Sequence, residues 1–463
     1  MMDREKLKKY IYKCENIEDI VTLSKVYERS LSNSNPVVYA EIDFENKLFD
    51  ILKHKIDTNK ISWPDKISGV LHIITVPYNS GGHTRLCEKL ADIDADLLIS
   101  GNEFVFDGLV NRLSTYFRNV YQIETCSVES RILAIIHRCA MYDNVILHIH
   151  PNDITTCIAI GILKRCDYSF SVYFVNHADH VFSFGKSISD VVLHISNRGY
   201  QIDKIIKNAK YKVSFIGIPI DMKEMPKLKT DIRNFLMSGA SYKMKPDELY
   251  SAPRVVQSIL GSDKKNKVMI IGAKGSDYWW WSTKIKYWRR LKIHEQLPYE
   301  SYIAKISIAD AIIDTLPITG GTAFTESYLN GLFPIGIKTA ISGYSPLDQI
   351  KLESVCNDTF QLHQEVQAKL YKEVKIIHDP IRVKVRFNCA LRREYHDVPE
   401  VLKYGVNNVN ALCNKQKPYL GRQLFKEIIT MRTISYKIKL KIIFGLFDSI
   451  RTSLEMLKKL IDK

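Results

Sequence analysis

The chain has 463 residues, 46% hydrophobic and 25% charged, which is ordinary for a globular protein and enough for two domains with a core each. Its 66 Lys and Arg against 51 Asp and Glu leave a net charge of +15, which favours anionic partners: nucleotides, nucleic acid or acidic lipid headgroups. Nine scattered Cys without a C-x-x-C pair argue against a disulfide framework, no apolar run is long enough to span a bilayer, and zinc-finger spacing, Arg-rich arms and RNP-like aromatic patterns are absent.

The opening MMDREKLKKYIYKCENIEDI is charged and lacks the apolar core of a secretion signal, so a cytoplasmic protein is expected. Residues 1–65 read as a polar helical extension closed by Pro64. From Gly69 the pattern changes to short apolar runs, at 70–76, 96–99, 144–149, 171–175, 190–195 and 212–216, separated by helical stretches. Such runs belong to a parallel sheet covered on both faces, a Rossmann-like unit over 66–221. The Lys-rich stretch 222–231, with Pro226, reads as a linker. Runs at 232–237, 268–271, 311–314 and 333–337 make a second such unit within 222–400. From 401 to 463 the chain is basic and helical. There 437–447 (KIKLKIIFGLF) is either an amphipathic patch on an anionic membrane or a terminal helix packed on its own domain.

Polar groups gather where the runs end, and ligands of open α/β sheets bind beyond the carboxyl ends of the strands. Tyr78-Asn79-Ser80-Gly81-Gly82-His83-Thr84-Arg85 is a glycine-rich strand-to-helix turn without a G-x-G-x-x-G spacing or a Walker lysine. Alternation sends His148 and His150 to one face, as two metal ligands would lie. No Cys or Asp at helpful spacing completes a zinc site, so His150 and Asp153 are read as lining a cleft.

Next comes Asn176-His177-Ala178-Asp179-His180. An imidazole with a near-neutral pKa is a suitable general base, and a neighbouring carboxylate can orient it. His177 with Asp179 as helper is favoured, and His180 and His83 remain as rivals. In 238–246 (SGASYKMKP) a turn of small residues including Ser241 precedes two lysines, which suits a diphosphate leaving group, with Lys243 chosen over Lys245. Ala273-Lys274-Gly275 is another strand-end loop. The aromatic stretch 278–288 (YWWWSTKIKYW) fits sugar stacking, membrane contact or core packing equally well.

In 308–348 an apolar run ends in Asp314, followed by a turn at Pro317, the pair Gly320-Gly321, Thr322 as helix N-cap, Glu326 and a stop at Gly331. Glycines at a helix N-terminus let backbone N–H groups approach an anion, and the helix dipole favours negative charge there. Glu326, one turn further in, is placed to accept hydrogen bonds from hydroxyls. Together these suit a nucleoside diphosphate and its ribose.

Read whole, D-A-I-I-D-T-L-P, then G-G-T, then E-S-Y-L-N-G-L-F-P-I resembles the donor-binding segment of GT-B glycosyltransferases. It is similar in particular to the D-x-x-L-D-T-x-P-x-x-G-G-T pattern of O-GlcNAc-transferase-like enzymes. N-H-A-D-H with Phe182-Ser183-Phe184-Gly185 resembles a motif of bacterial surface-polysaccharide enzymes, and G-G-H-T-R resembles the family's loop over donor diphosphate and acceptor. The resemblance implies an α/β GT-B architecture, two Rossmann-like domains facing across a cleft with helical N- and C-terminal extensions. It makes 66–221 the acceptor domain and 222–400 the donor domain.

The implied activity is hexosyl transfer from a nucleotide-diphosphate sugar, most commonly UDP-linked, to a hydroxyl of a glycan or lipid-linked glycan in cell-surface polysaccharide synthesis. Catalysis falls to His177, Asp179 and His83. Donor binding falls to Gly81, Gly82, Ser241, Lys243, Gly320, Gly321, Thr322 and Glu326, and Arg85, His150, Asp153 and His180 face acceptor or cleft. The Arg of the related G-R-x-x-x-x-K-G pattern is missing beside Lys243. Neither metal nor other cofactor is expected, since Asp92-Ile93-Asp94 has the letters of a metal-binding pair but lies far from the donor motif. Peripheral contact with an anionic membrane at its inner face is open, and nucleic acid is not an expected partner. The alternatives are an epimerase or hydrolase on the same fold, or a non-catalytic basic adaptor for membrane or nucleic acid. The intact Gly320, Gly321, Glu326 and N-H-A-D-H group favour the enzyme.

Overall fold

The computed structural model describes residues 4–32, 38–60, 63–79, 82–124, 127–166, 168–206, 208–339, 341–353 and 362–403 and, beyond them, 428, 430, 431, 434, 436 and 439. Seven parallel strands form the first sheet: β1 (Val70–Ile74), β2 (Asp96–Ile99), β3 (Val120–Gln122), β4 (Asn144–His148), β5 (Ser171–Asn176), β6 (Val191–His194) and β7 (Lys212–Phe215), ordered β3-β2-β1-β4-β5-β6-β7. Five form the second: β8 (Asn234–Ser238), β9 (Lys267–Ile271), β10 (Leu291–His294), β11 (Ala311–Ile313) and β12 (Phe333–Ile335), ordered β10-β9-β8-β11-β12. In both, the chain starts in mid-sheet, builds to one edge, then crosses back past its first strand to build the other. That crossing opens a crevice beyond the carboxyl ends of the two strands either side of it, β1 and β4 in one sheet, β8 and β11 in the other.

Helices on both faces explain why the strands read as apolar runs. Val145, Ile146 and Leu147 of β4 are fully buried. The two strands missing from the sequence reading are edges. β3 is two half-exposed residues and an exposed Gln122, and β10 (LKIH) sets an exposed Lys292 between apolar neighbours after a basic, aromatic stretch. An edge strand buries less and so carries a weaker apolar signal.

The N-terminal helices Arg4–Tyr12, Ile17–Ser32 and Ile42–Lys53 share one core with the first sheet's helices. Helix Ile154–Lys164 lies between them and the sheet, so every residue from Ile154 to Leu163 is buried. An α-helix apolar all round is what that position requires. Its Gly161 faces Phe49, where a Cβ would meet ring carbons at 2.5 Å.

Although it follows the second sheet in the chain, helix Pro380–Leu391 packs on the first. Asp379 caps it, accepting from Ile381 N at 2.9 Å, with Pro380 at the first helical position. Lys384 Nζ donates to Leu90 O at 2.6 Å and Arg386 Nε to Ile216 O at 2.7 Å, so the chain's return ties the two units together. The basic stretch 437–447 lies outside the described residues apart from Lys439.

Candidate active site

The crevices of the two sheets face each other, and most of the chemistry-bearing side chains stand there. In the first sheet, Gly82 opens helix Gly82–Leu90 after β1, and the space where its Cβ would stand is open. Gly81 lies outside the described residues. His83 Nε2 lies 3.1 Å from Val76 O, and Arg85 is half-buried in the same first turn. From β4, His150 stacks on Tyr78 with ring centres 5.6 Å apart and meets His83 edge-on at 5.1 Å. From β5, His177 stacks on His83 at 5.4 Å.

Three imidazoles from three strand ends thus form one continuous cluster. Burial lowers the pKa of each; His83 falls to about 4, and His177 is held well below its usual range by burial and by its neighbours His83 and His150. All three are neutral at physiological pH, but the near-neutral pKa expected of a general base is not what burial gives: His83 and His177 are weaker bases here than a free imidazole.

The expected pairing of Asp179 with His177 is not formed: Asp179 is engaged elsewhere. Its buried carboxylate accepts from Ser196 Oγ and from Tyr344 Oη, and Arg198 Nη2 lies 3.2 Å away. Arg198 and these hydrogen bonds outweigh burial and bring Asp179 down to about 2. The nearest histidine to it is His180, at 3.9 Å, whose own pKa falls to about 3 through burial and the positive charge of Lys243. Nor does Asp153 line the cleft. It is buried as the N-cap of helix Ile154–Lys164, accepting from Thr156 N at 3.0 Å, and its other oxygen takes Thr75 Oγ1 at 2.6 Å and Ser100 Oγ at 3.1 Å.

Across the cleft, Lys243 sits in the short 3-10 helix Ser241–Met244 after β8, half-buried. Its Nζ is 3.4 Å from Thr319 O, beside the glycine pair. Burial lowers the Lys243 pKa, partly offset by Asp314 and Asp179. Ser241 is turned away to Asp277, which accepts its hydroxyl at 2.5 Å.

The glycine loop is built by Asp314. Its Oδ1 accepts from Gly320 N at 2.7 Å, and its Oδ2 accepts from Thr319 Oγ1 and lies 2.6 Å from Lys351 Nζ. Gly321, at φ +48°, is the cap of helix Thr322–Leu329, so Thr322 is its first residue rather than its N-cap. That left-handed φ suits glycine. The Ala323 amide turns back to Gly320 O at 3.2 Å, and Glu326 is half-buried one turn in.

Three residues central to this geometry escaped the sequence reading. Arg198 stands in Ser196-Asn197-Arg198 just past β6, a polar group after an apolar run that the strand-end rule would have found. Tyr344 and Lys351 carry no local signal; the contacts that matter here, Tyr344 with Asp179 and Lys351 with Asp314, are distant in sequence.

Among the described residues, one group has ligand atoms spaced as a metal site would: His72, Cys87 and His148, all buried, within 4.8 Å of one another. His72 Nδ1 and His148 Nε2 are 3.0 Å apart, a hydrogen bond between neutral imidazoles in the core beneath the cleft. His148 therefore pairs with His72 and His150 with Tyr78 and His83.

No protein family model matches this sequence, and no curated protein matches it. Solved structures do. The Anabaena protein HepE in complex with UDP-glucose matches with a TM-score of 0.51 at 9% identity, covering 70% of this chain and 99% of its own. The same protein with UDP and glucose gives 0.50 at 10% identity over the same shares. A mutant O-GlcNAc transferase of Thermobaculum terrenum matches over 88% of this chain and 75% of its own, with a TM-score of 0.45 and 10% identity. Likeness at such identity is likeness of fold. The chain has the GT-B fold, two Rossmann-like domains facing across a cleft.

Proposed function

We propose that this chain is a glycosyltransferase that moves a sugar from a nucleoside-diphosphate donor, UDP-linked in the first instance, to a hydroxyl of a glycan acceptor. The observation that carries this reading is that Lys243 and the Gly320-Gly321 helix end meet at one crevice, opposite a cluster of neutral imidazoles at the other. HepE, of the same fold, was solved with UDP-glucose, which supports the choice of base.

In this reading the amides of Gly321 and Thr322, with the dipole of their helix, take the diphosphate, and Lys243 supplies positive charge as it leaves. Glu326 accepts the ribose hydroxyls. His177, or its stacked neighbour His83, takes the acceptor's hydroxyl proton while that oxygen bonds to the anomeric carbon and the bond to the diphosphate breaks. The charge is met by protein groups, with no metal ion called for. The acceptor is a growing cell-surface glycan, lipid-linked at the inner face of the membrane.

Calorimetry with UDP, GDP, ADP, CMP and dTDP, with and without Mg²⁺, tests the donor half. One diphosphate should bind independently of Mg²⁺, about tenfold more weakly after Glu326→Ala, the scale of one charge-assisted hydrogen bond. Binding of none would overturn the assignment. For the base, His177→Ala should retain the nucleotide and lose about 10²–10⁴ in turnover. An unimpaired His177→Ala with an inactive His83→Ala would transfer the role to His83.

A further inference from the structure

The aromatic stretch after β9 is absent from the cleft chemistry. Within it, Trp280 and Thr283 are buried and Tyr287 is half-buried, which anchors the segment on the second domain. The opposite side is apolar as well. Tyr278, Trp281, Ile285 and Trp288 are 65, 54, 77 and 67% exposed. Spacings of three and four residues, through the 3-10 turn Tyr278–Trp280 and helix Trp281–Lys286, put Tyr278, Trp281 and Ile285 on one helical face, and Trp288 follows just past the helix end. Such a row of large apolar side chains in water is costly unless something covers it.

The charge around the row is of one sign. Lys284, Lys286 and Arg289 are exposed beside it, and no acidic residue occurs between Asp277 and Glu295. Arg289 lies over the Trp288 ring at 4.6 Å and also lines an adjoining cavity of about 220 Å³. Lys267, Arg290, Lys292 and Lys305 line that cavity too, and none of its described lining residues is acidic. Arg290 is held by the carbonyls of Leu260, Asp263 and Asn266, and the other four cations surround an opening partly walled by apolar side chains. Lys305 and Lys292 add to burial in holding His294 below its usual pKa, a sign of the local positive potential.

We infer that this face of the second domain, the Tyr278–Trp288 row with the basic cavity beside it, docks on an anionic phospholipid bilayer. Trp and Tyr partition to the membrane–water interface, and each Lys or Arg near an anionic surface adds attraction. A bare cation cluster would serve a soluble anion equally; the aromatic row requires an apolar phase beside it. The segment runs from the loop after β9 to the amino end of β10, where Arg289 joins it to the basic cavity. The inference deepens the membrane-linked acceptor of the function proposed above and rests on that reading for its purpose, though not for its geometry.

Flotation with vesicles of phosphatidylcholine, with and without phosphatidylglycerol, tests it on the full chain, with UDP binding measured on the same preparations. The protein should float only with phosphatidylglycerol. Both Trp281→Ser/Ile285→Ser/Trp288→Ser and Lys284→Glu/Lys286→Glu/Arg289→Glu should cut binding by roughly tenfold or more, with UDP affinity unchanged. Failure to float, or flotation unaffected by either triple variant, would overturn the membrane surface while leaving the transferase reading standing. Binding that inorganic phosphate abolishes and the aromatic variant leaves intact would also overturn it, assigning the cavity to a soluble anion. Flotation without UDP binding would instead uphold the surface and sink the donor site.

Discussion

Two buried carboxylates in this chain are driven in opposite directions, and the difference lies in their partners. Asp179 has Arg198 at 3.2 Å and falls to about 2. Glu45, on helix Ile42–Lys53, is fully buried and accepts from Gly185 N at 2.9 Å and Ser187 Oγ at 2.7 Å, with no cation at hydrogen-bond distance among the described residues. Burial outweighs those two hydrogen bonds and raises Glu45 to about 7. The folded state therefore holds a proton on Glu45 that the unfolded chain releases near pH 4.5, so stability from this group is greatest below pH 4.5 and falls as pH rises through 7. The loss amounts to about 3 kcal/mol by pH 8. Glu45→Gln keeps an acceptor for Gly185 and removes the titration, so urea unfolding should show the variant more stable than wild type at pH 8, with the gap narrowing by about 2 kcal/mol or more at pH 5. Asp179 works the other way: its contribution is present above the unfolded value of 3.8 and is lost as pH falls towards 2.

At the scale of elements, the glycine loop after β11 shows what was legible and what was not. Asp314, Gly320 and Gly321 are neighbours in sequence, and turn chemistry, glycine and a helix start made the loop readable where it stands. The support beneath it is not local. Lys351 Nζ reaches Asp314 at 2.6 Å and Asp348 at 2.5 Å, and Asp348 in turn accepts from Gly343 N at 2.7 Å. One buried cation thus fixes two loops, and it stands 32 positions from the Thr319 hydroxyl it also contacts. The sheets were readable for a similar reason, since fully covered strands are unbroken apolar runs, whereas the edges β3 and β10 were not. Lys351→Met leaves two carboxylates buried without a counter-charge and should cost about 3–5 kcal/mol in urea unfolding. Neutralising both carboxylates as well, in Lys351→Met/Asp314→Asn/Asp348→Asn, should recover part of that loss. A triple variant weaker than the single one would mean that the carboxylates act on the loops without the lysine. Between helices, Gly161→Ala forces a methyl into Phe49 and should cost about 1–3 kcal/mol, with Phe49→Ala recovering part of it in the double variant.

Over the whole molecule, the two domains are held by more than the helix that returns to the first. The loop 342–345 of the second domain reaches across the cleft: Tyr344 Oη donates to Asp179, and Gly343 O accepts from Asn197 N at 2.8 Å. No sequence pattern could have shown this, because Tyr344 and Asp179 stand 165 positions apart and the N-H-A-D-H group suggests a local His–Asp pair. On its other side the Tyr344 ring lies 3.7 Å from where a Cβ on Gly321 would stand. One tyrosine therefore touches the loop proposed to hold the diphosphate and the buried ion pair beneath the imidazole cluster. A hydrogen bond to a charged group contributes about 1.5–3 kcal/mol. Tyr344→Phe keeps the ring against Gly321 and removes only the bond across the cleft. In the proposed function nucleotide binding falls to one domain and turnover to both, so nucleotide affinity should change by less than about threefold while turnover should fall by about 10–100-fold. If UDP binding falls as far as turnover does, the hydroxyl serves the donor site itself, and the link between domains rests on the backbone bond from Asn197 and on helix Pro380–Leu391.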